Sequence, residues 1–196
     1  PKYRGAGPIQ WALMNGDKVT GVTIFQIKRK IDTGNILFQQ QIKIKKDDNM
    51  QTLGMRLCEI GADSMLSVLK DIEHDNIKSY SQNSDEMSLA PKITKEMLII
   101  NWSWTAKKIH NWVRGLSPHP GMYTLFKNRK VRIFKTKVFE GSGEKGVIMS
   151  LNKESCLIGT GDQLISILEL QLEGKKKMNI SEFLMGTKFF RGSILG

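Results

Sequence analysis

The chain has 196 residues, 40% hydrophobic and 25% charged, which suits one large domain or two small ones with a real core. Its formal charge of +11 favours a polyanionic partner, and no apolar run approaches the ~20 residues of a bilayer-crossing helix, so a helical membrane protein is excluded. Cys58 and Cys156 stand far apart without metal-ligand spacing, which excludes a disulfide scaffold or a cysteine zinc site and predicts two buried free thiols in a reducing compartment.

Gly5, Gly7 and Pro8 make a loop, and Pro8 then starts a short helix over Ile9–Asn15 that Gly16 stops. Residues 19–27 are β-branched and apolar, as in a strand. Charge breaks the run at Lys28, and Asp32-Thr33-Gly34 is a turn signal. Asn35–Ile44 alternates apolar and polar residues and predicts a second strand. From Met50 the period changes. Asp47, Asp48 and Asn49 offer caps, and Leu53, Leu57, Ile60, Met65, Val68, Leu69 and Ile72 follow at helical spacing, predicting a helix to about Asp71. Residues 73–90 are polar and aperiodic, and Pro91 closes them.

Beyond Lys92, Ser103, Trp104 and Thr105 cap a predicted helix over Ala106–Arg114 that ends at Gly115. The turn-rich Ser117–Gly121 leads into short strands at Met122–Phe126, Val131–Phe139, Gly146–Leu151, Cys156–Thr160 and Leu164–Gln171. Asn128 reads as a hairpin turn, and Ser181–Met185 as a short helix capped by Asn179 or Ser181. Charge is uneven, with a net +3 over residues 1–80 and +8 over 81–196. The expected organisation is an α/β unit at 1–75, a linker at 76–91 and a β-rich basic domain at 92–196. Two strands and one or two helices are too few to cover a sheet on both faces, so the α/β unit reads as incomplete. Pro1-Lys2-Tyr3-Arg4-Gly5 reads as the middle of a motif, which predicts missing upstream sequence.

Among ionisable candidates, His74 falls in the polar stretch and His110 on a packed helix. His119, between Pro118 and Pro120, is the better placed of the three to touch a ligand. No Ser/His/Asp set, phosphate-cradling glycine loop or metal-ligand spacing is present. Asp32 stands out because it follows a predicted strand, where open α/β folds place chemistry. The alternative is a turn aspartate bonded to nearby backbone N–H groups, a common use before glycine. Spacing alone favours the turn aspartate. An aspartic protease reading of Asp-Thr-Gly is opposed by the long helix and the basic second half.

Pro1-Lys2-Tyr3-Arg4-Gly5-Ala6-Gly7-Pro8-Ile9-Gln10-Trp11-Ala12 resembles the motif Ser-Leu-Leu-Pro-(Lys/Arg)-(Tyr/Trp)-Arg-Gly-Ala-Ala-Pro-Ile-Gln of the formyltetrahydrofolate-dependent formyltransferase family. Asn15-Gly16-Asp17, Thr20-Gly21-Val22-Thr23 and Ile31-Asp32-Thr33-Gly34 continue it in order. In the second half Ala90-Pro91-Lys92-Ile93, Asn101-Trp102-Ser103, Arg114-Gly115-Leu116-Ser117-Pro118, Thr160-Gly161-Asp162 and Gly174-Lys175-Lys176-Lys177-Met178 resemble the family's methionyl-tRNA branch.

The resemblance implies a Rossmann-like domain, a linker and an OB-like barrel. It implies transfer of a formyl group from 10-formyltetrahydrofolate, with no metal, to the amino group of methionine on initiator tRNA. Asp32 matches the family's catalytic aspartate. The family's Asn and His would lie upstream of Pro1, so the chain alone is expected to be inactive. Pro1, Lys28, Arg29, Lys30 and Ile31 match the folate-lining positions, although the three cations replace acidic and glycine residues there. The same resemblance gives the basic second domain a role on tRNA phosphates through Lys127, Arg129, Lys130, Arg132, Lys135, Lys137, Lys175, Lys176 and Lys177. A monomer in a bacterial cytoplasm or an organellar matrix is expected. The rivals are a formyltransferase acting on a sugar nucleotide, a formyltetrahydrofolate dehydrogenase domain, and a non-catalytic nucleic-acid-binding module.

Overall fold

Alternation of branched and polar residues gives the first unit its ribbon. β2 (Val19–Phe25) and β3 (Ile36–Lys43) pair antiparallel from Val19↔Lys43 to Phe25↔Ile36, with a bulge at Ile24/Phe25. The computed structural model describes residues 2–186 and 189–196. It divides into two units, Pro1–Leu13 with Asp17–Ile93, and Met14–Gly16 with Thr94–Gly196.

Pro8 opens α1 (Pro8–Met14), where its missing N–H costs nothing, and Gly16 leaves the helix at φ +74°. α2 (Met50–Glu73) begins at a reciprocal cap: the Asn49 side chain accepts from the Thr52 N–H, and the Thr52 hydroxyl accepts from the Asn49 N–H, both at 3.0 Å. Buried Asp48 accepts the Lys45 N–H at 2.7 Å and pairs with Arg56. The inner face of α2 buries Leu53 and Leu57 against Leu13, with Ile9, Val22, Ile42, Ile44 and Met50 around them. Each such leucine contributes about 1.5–3 kcal/mol by leaving water. The apolar stripe expected along this helix is wider than its cover. Of its members Met65, Leu69 and Ile72 are 44%, 53% and 44% exposed, because a two-stranded ribbon is too narrow to reach around a 24-residue helix.

The segment after α2 is tied back to the same unit. Tyr80 and Ile36 exchange two backbone hydrogen bonds, at 2.7 and 2.9 Å. β1 (Arg4–Gly5) pairs in parallel with β4 (Leu89–Ala90), and the Trp11 indole donates to the Pro91 carbonyl at 2.8 Å.

In the second unit α3 (Ala106–Gly115) is capped by the Thr105 hydroxyl, while Asp162 accepts the Ala106 N–H at 2.8 Å. The strands are β5 (Met122–Phe126), β6 (Arg129–Phe139), β7 (Ile148–Asn152), β8 (Ser155–Gly159), β9 (Leu164–Leu172) and β10 (Met178–Asn179). They form one antiparallel sheet ordered β5-β6-β9-β8-β7, with β10 on β9; among the described residues its ladder is open, ending at β5 and β7. Lys127 and Asn128, at φ +49° and +60°, make the tight β5–β6 turn whose two central residues must both be left-handed. Asn179 caps α4 (Ile180–Gly186) by accepting the Glu182 N–H at 2.9 Å. Ile133, Ile158, Ile165, Ile167 and Leu170 are fully buried beneath the sheet.

The cysteine expectation holds in half. Both are free, and burial pushes the Cys156 thiol up to about 12, but Cys58 is exposed, on a part of α2 that the ribbon does not cover.

Candidate functional site

The first candidate lies in the loop from Gln26 to Asn35, at the end of β2. Its neck is closed by the Gln26 N–H donating to the Asn35 carbonyl at 2.9 Å. Gly34 is buried against the opposite side of this neck, and a side chain there would put its Cβ 1.5 Å from the Gln26 carbonyl oxygen. Only glycine permits that approach. Asp32, half-buried, adopts the left-handed conformation at φ +53°, and the Thr33 hydroxyl closes the turn by donating to the Lys30 carbonyl at 2.8 Å. Lys28 reaches across to the Asn35 side chain at 2.9 Å. Arg29 and Lys30 are exposed, and Ile31 is 80% exposed. Lys28, Arg29, Lys30, Ile31 and Asp32 thus share one loop, as their adjacency requires. Pro1 lies outside the described residues.

Two residues not singled out from sequence join this loop to the first strand. Gln82 donates its Nε2 to the Gly34 carbonyl at 2.6 Å, and its Oε1 accepts from Arg4 Nη2 at 2.6 Å. Arg4 also reaches the Met87 sulfur, and its Nε is buried without a partner among the described residues. No spacing rule points to a contact across 78 residues. Nearby, Tyr3, at φ +64°, donates its hydroxyl to Asp17 at 2.7 Å. A hollow of about 660 Å3 is lined by residues that include Lys2, Tyr3, Asp17, Gln39, Gln41 and Asn83; Asp32 and Lys28–Ile31 do not line it.

The second candidate is the basic part of the second unit. Along β6, Val131, Ile133 and Thr136 are buried, while Lys130, Arg132, Lys135 and Lys137 alternate with them. The spacing jumps by one residue after Ile133, where the β6–β9 register shifts. That bulge re-aims the strand and keeps all four cations opposite the buried set. From Arg129 to Lys137 the strand extends about 26 Å. At its start Arg129 Nη2 donates to the Glu173 carbonyl at 2.9 Å, which brings the Lys127–Lys130 turn beside the turn carrying Lys175, Lys176 and Lys177. Aromatic rings sit among these charges: Lys130 is 4.3 Å from the Tyr123 ring centroid, and Lys177 is 5.2 Å from that of Phe134. Lys177 also pairs with Glu169 at 2.6 Å, which neutralises it in part.

His74 Nδ1 meets the Lys70 carbonyl at 2.7 Å, and His119 is exposed between two prolines. His110 Nδ1 meets the Thr136 hydroxyl at 3.0 Å; its burial, and then Arg114 nearby, hold its pKa below the usual imidazole range. Among the described residues no cluster of three His, Cys, Asp or Glu side chains gathers to hold a metal, and no helix is long and apolar enough to cross a membrane.

Residues 1–69 match the family model described as formyl transferase, and residues 92–188 match that of the formyl transferase C-terminal domain. The chain is 39% identical over 197 residues to the methionyl-tRNA formyltransferase of Caldanaerobacter subterraneus subsp. tengcongensis, covering all of this chain and 63% of that one. It is 42% identical over 192 residues to that of Thermodesulfovibrio yellowstonii, covering 98% of this chain and 62% of the relative. The chain therefore spans less than two thirds of the length of these relatives. In structure it resembles HypX from Aquifex aeolicus, solved in complex with tetrahydrofolic acid, at a TM-score of 0.72 and 22% identity, over 95% of this chain and 33% of that one. It also resembles the sugar 3N-formyl transferase WlaRD, at a TM-score of 0.70 and 22% identity, over 90% and 63% of the two chains. At such identities the two structures speak to the fold alone.

Proposed function

The chain belongs to the formyl transferase family, and on that premise we propose that its protein transfers a formyl group from 10-formyltetrahydrofolate to the amino group of methionine on initiator tRNA. The observation that carries this reading is the likeness of 39% and 42% to proteins of that name, sustained across both units. Likenesses to sugar N-formyltransferase structures, at 22% identity, speak for the fold and do not favour the sugar-nucleotide rival.

In the reaction the neutral amine attacks the formyl carbon, and a C–N bond forms as the carbonyl becomes a tetrahedral oxyanion. The bond from that carbon to the folate nitrogen then breaks, and one proton lost by the amine is made up on that nitrogen as it leaves. Asp32 orients the family's imidazole and stabilises its positive form while that proton is carried. Its left-handed turn sets the backbone from which the carboxylate projects, which favours such a role. Pro1, Lys28, Arg29, Lys30 and Ile31 hold the folate. Exposed Ile31 offers an apolar surface for a flat ring, and the Arg29 and Lys30 charges favour an anionic tail.

Residues 92–196 form the tRNA-binding domain, an OB-like one, joined through 76–91 to the catalytic remnant at 1–75. Its cations contact phosphates: Lys127, Arg129, Lys130, Arg132, Lys135, Lys137, Lys175, Lys176 and Lys177. The protein works as a monomer in a bacterial cytoplasm or an organellar matrix. If about four of these cations release counterions, tRNA affinity should fall roughly 50- to 150-fold between 50 and 200 mM salt. Filter binding of the chain to Met-tRNA across that range checks this. An affinity that does not change with salt removes the role of the basic domain.

A further inference from the structure

We infer that Gln82 is a positioning residue for the Asp32 loop, holding the Gly34 carbonyl in place through a relay from the Arg4 guanidinium. The inference rests on the reading that Asp32 serves formyl transfer. Its basis is the pair of 2.6 Å hydrogen bonds that the Gln82 side chain makes, one to Arg4 and one to Gly34.

The direction of the relay is fixed by its ends. A guanidinium only donates and a backbone carbonyl only accepts, so the carboxamide must turn its oxygen to Arg4 and its nitrogen to Gly34. The bond from Arg4 is charge-assisted, and it polarises the amide so that the second bond strengthens too. Arg4 spends its charge on neutral acceptors, the Gln82 oxygen and the Met87 sulfur.

Both ends of the relay are anchored. Two backbone bonds between Tyr80 and Ile36 hold the chain two residues before Gln82. On the other side, Ser88 accepts the Tyr3 N–H with its hydroxyl and the Arg4 N–H with its carbonyl, both at 2.9 Å. Gly34 is two residues from Asp32, whose left-handed turn is otherwise closed, among the described residues, by short-range bonds within the loop. Gln82 thus registers that turn to β1, the strand that continues the family motif. Without it the Gly34 carbonyl has no side-chain donor among the described residues, and the loop is held by its neck and its own short-range bonds.

Gln82→Glu separates the two ends of the relay. The carboxylate keeps Arg4, now as an ion pair, but cannot donate to Gly34 and repels its carbonyl. In the full-length gene product, kcat for formyl transfer should fall about 10- to 100-fold, with KM for both substrates within about threefold, since a displacement of about 1 Å near the chemistry is that costly. In an Asp32→Asn background the same change should add less than about twofold, because Gln82 acts through Asp32. Gln82→Asn, too short to reach both partners, should give the same loss without adding charge. In this chain, amide exchange at Asp32–Asn35 should quicken in Gln82→Glu while α2 stays protected. Unchanged kcat and unchanged exchange overturn the inference, as does a full, additive loss on top of Asp32→Asn. If Asp32→Asn itself leaves turnover intact, the reading of Asp32 fails, while the exchange measurement still decides whether Gln82 tethers the loop.

Discussion

Asp32→Asn should lower kcat for formyl transfer by about 10^3- to 10^4-fold and leave tRNA affinity within about twofold. The scale is that of removing the carboxylate which orients a catalytic imidazole, where the wrong tautomer and an unstabilised cation together cost that much. The substitution is suited to the question. Asparagine matches aspartate in shape and tolerates the left-handed φ of +53° that this position requires, so the turn survives. The cations proposed for tRNA are all in the second unit. Single-turnover rates and filter binding on the same preparation separate the two effects. Equal loss of rate and of affinity identifies a structural aspartate.

Gly34→Ala should be the most damaging single methyl in the first unit. A Cβ 1.5 Å from the Gln26 carbonyl oxygen overlaps backbone, which has no flexible end to swing aside. The neck between Gln26 and Asn35 must open, and the bond from Gln82 to the Gly34 carbonyl is strained with it. Forced overpacking costs about 1–3 kcal/mol and sometimes more. For a unit of this size that lowers Tm by roughly 5–20 °C. Turnover should fall with it, because Asp32 is carried on the same turn. Calorimetry of the chain reads the first effect. An alanine variant that melts with the parent contradicts the close approach at the neck.

How much of this was legible in the sequence depends on how local each feature is. α2 and α3 were readable because an amphipathic period and a capping side chain lie within a few residues of one another, at Asn49 and Thr105. The five longer strands of the second unit were readable from alternation and turn residues, and Asn128 from the handedness its turn needs. β1 and β4 are two residues each and pair across 85 positions, so neither carries a period of its own. The same distance hid Arg4 and Gln82. A polar aperiodic stretch looks the same whether it is solvated or pinned by long-range bonds, and residues 76–91 are pinned at Tyr80, Gln82, Ser88 and Leu89–Ala90.

Asp32 stands out by its place after a strand and before glycine, but a turn aspartate fits that pattern better. The family resemblance favoured the catalytic reading. The loop geometry adds something the pattern could not, the fixed neck at Gly34. On β6 the basic residues were visible as a charged run, but their common side was not. It depends on a bulge between Ile133 and Thr136, which no alternation rule counts.

The most direct test of the whole account is a comparison of formyl acceptors. The full-length gene product is given 10-formyltetrahydrofolate with a labelled formyl group, and either Met-tRNA or an amino-sugar nucleotide. Label should appear on the methionine amino group, dependent on Asp32 and suppressed by high salt. Label on the sugar nucleotide with none on Met-tRNA would contradict it.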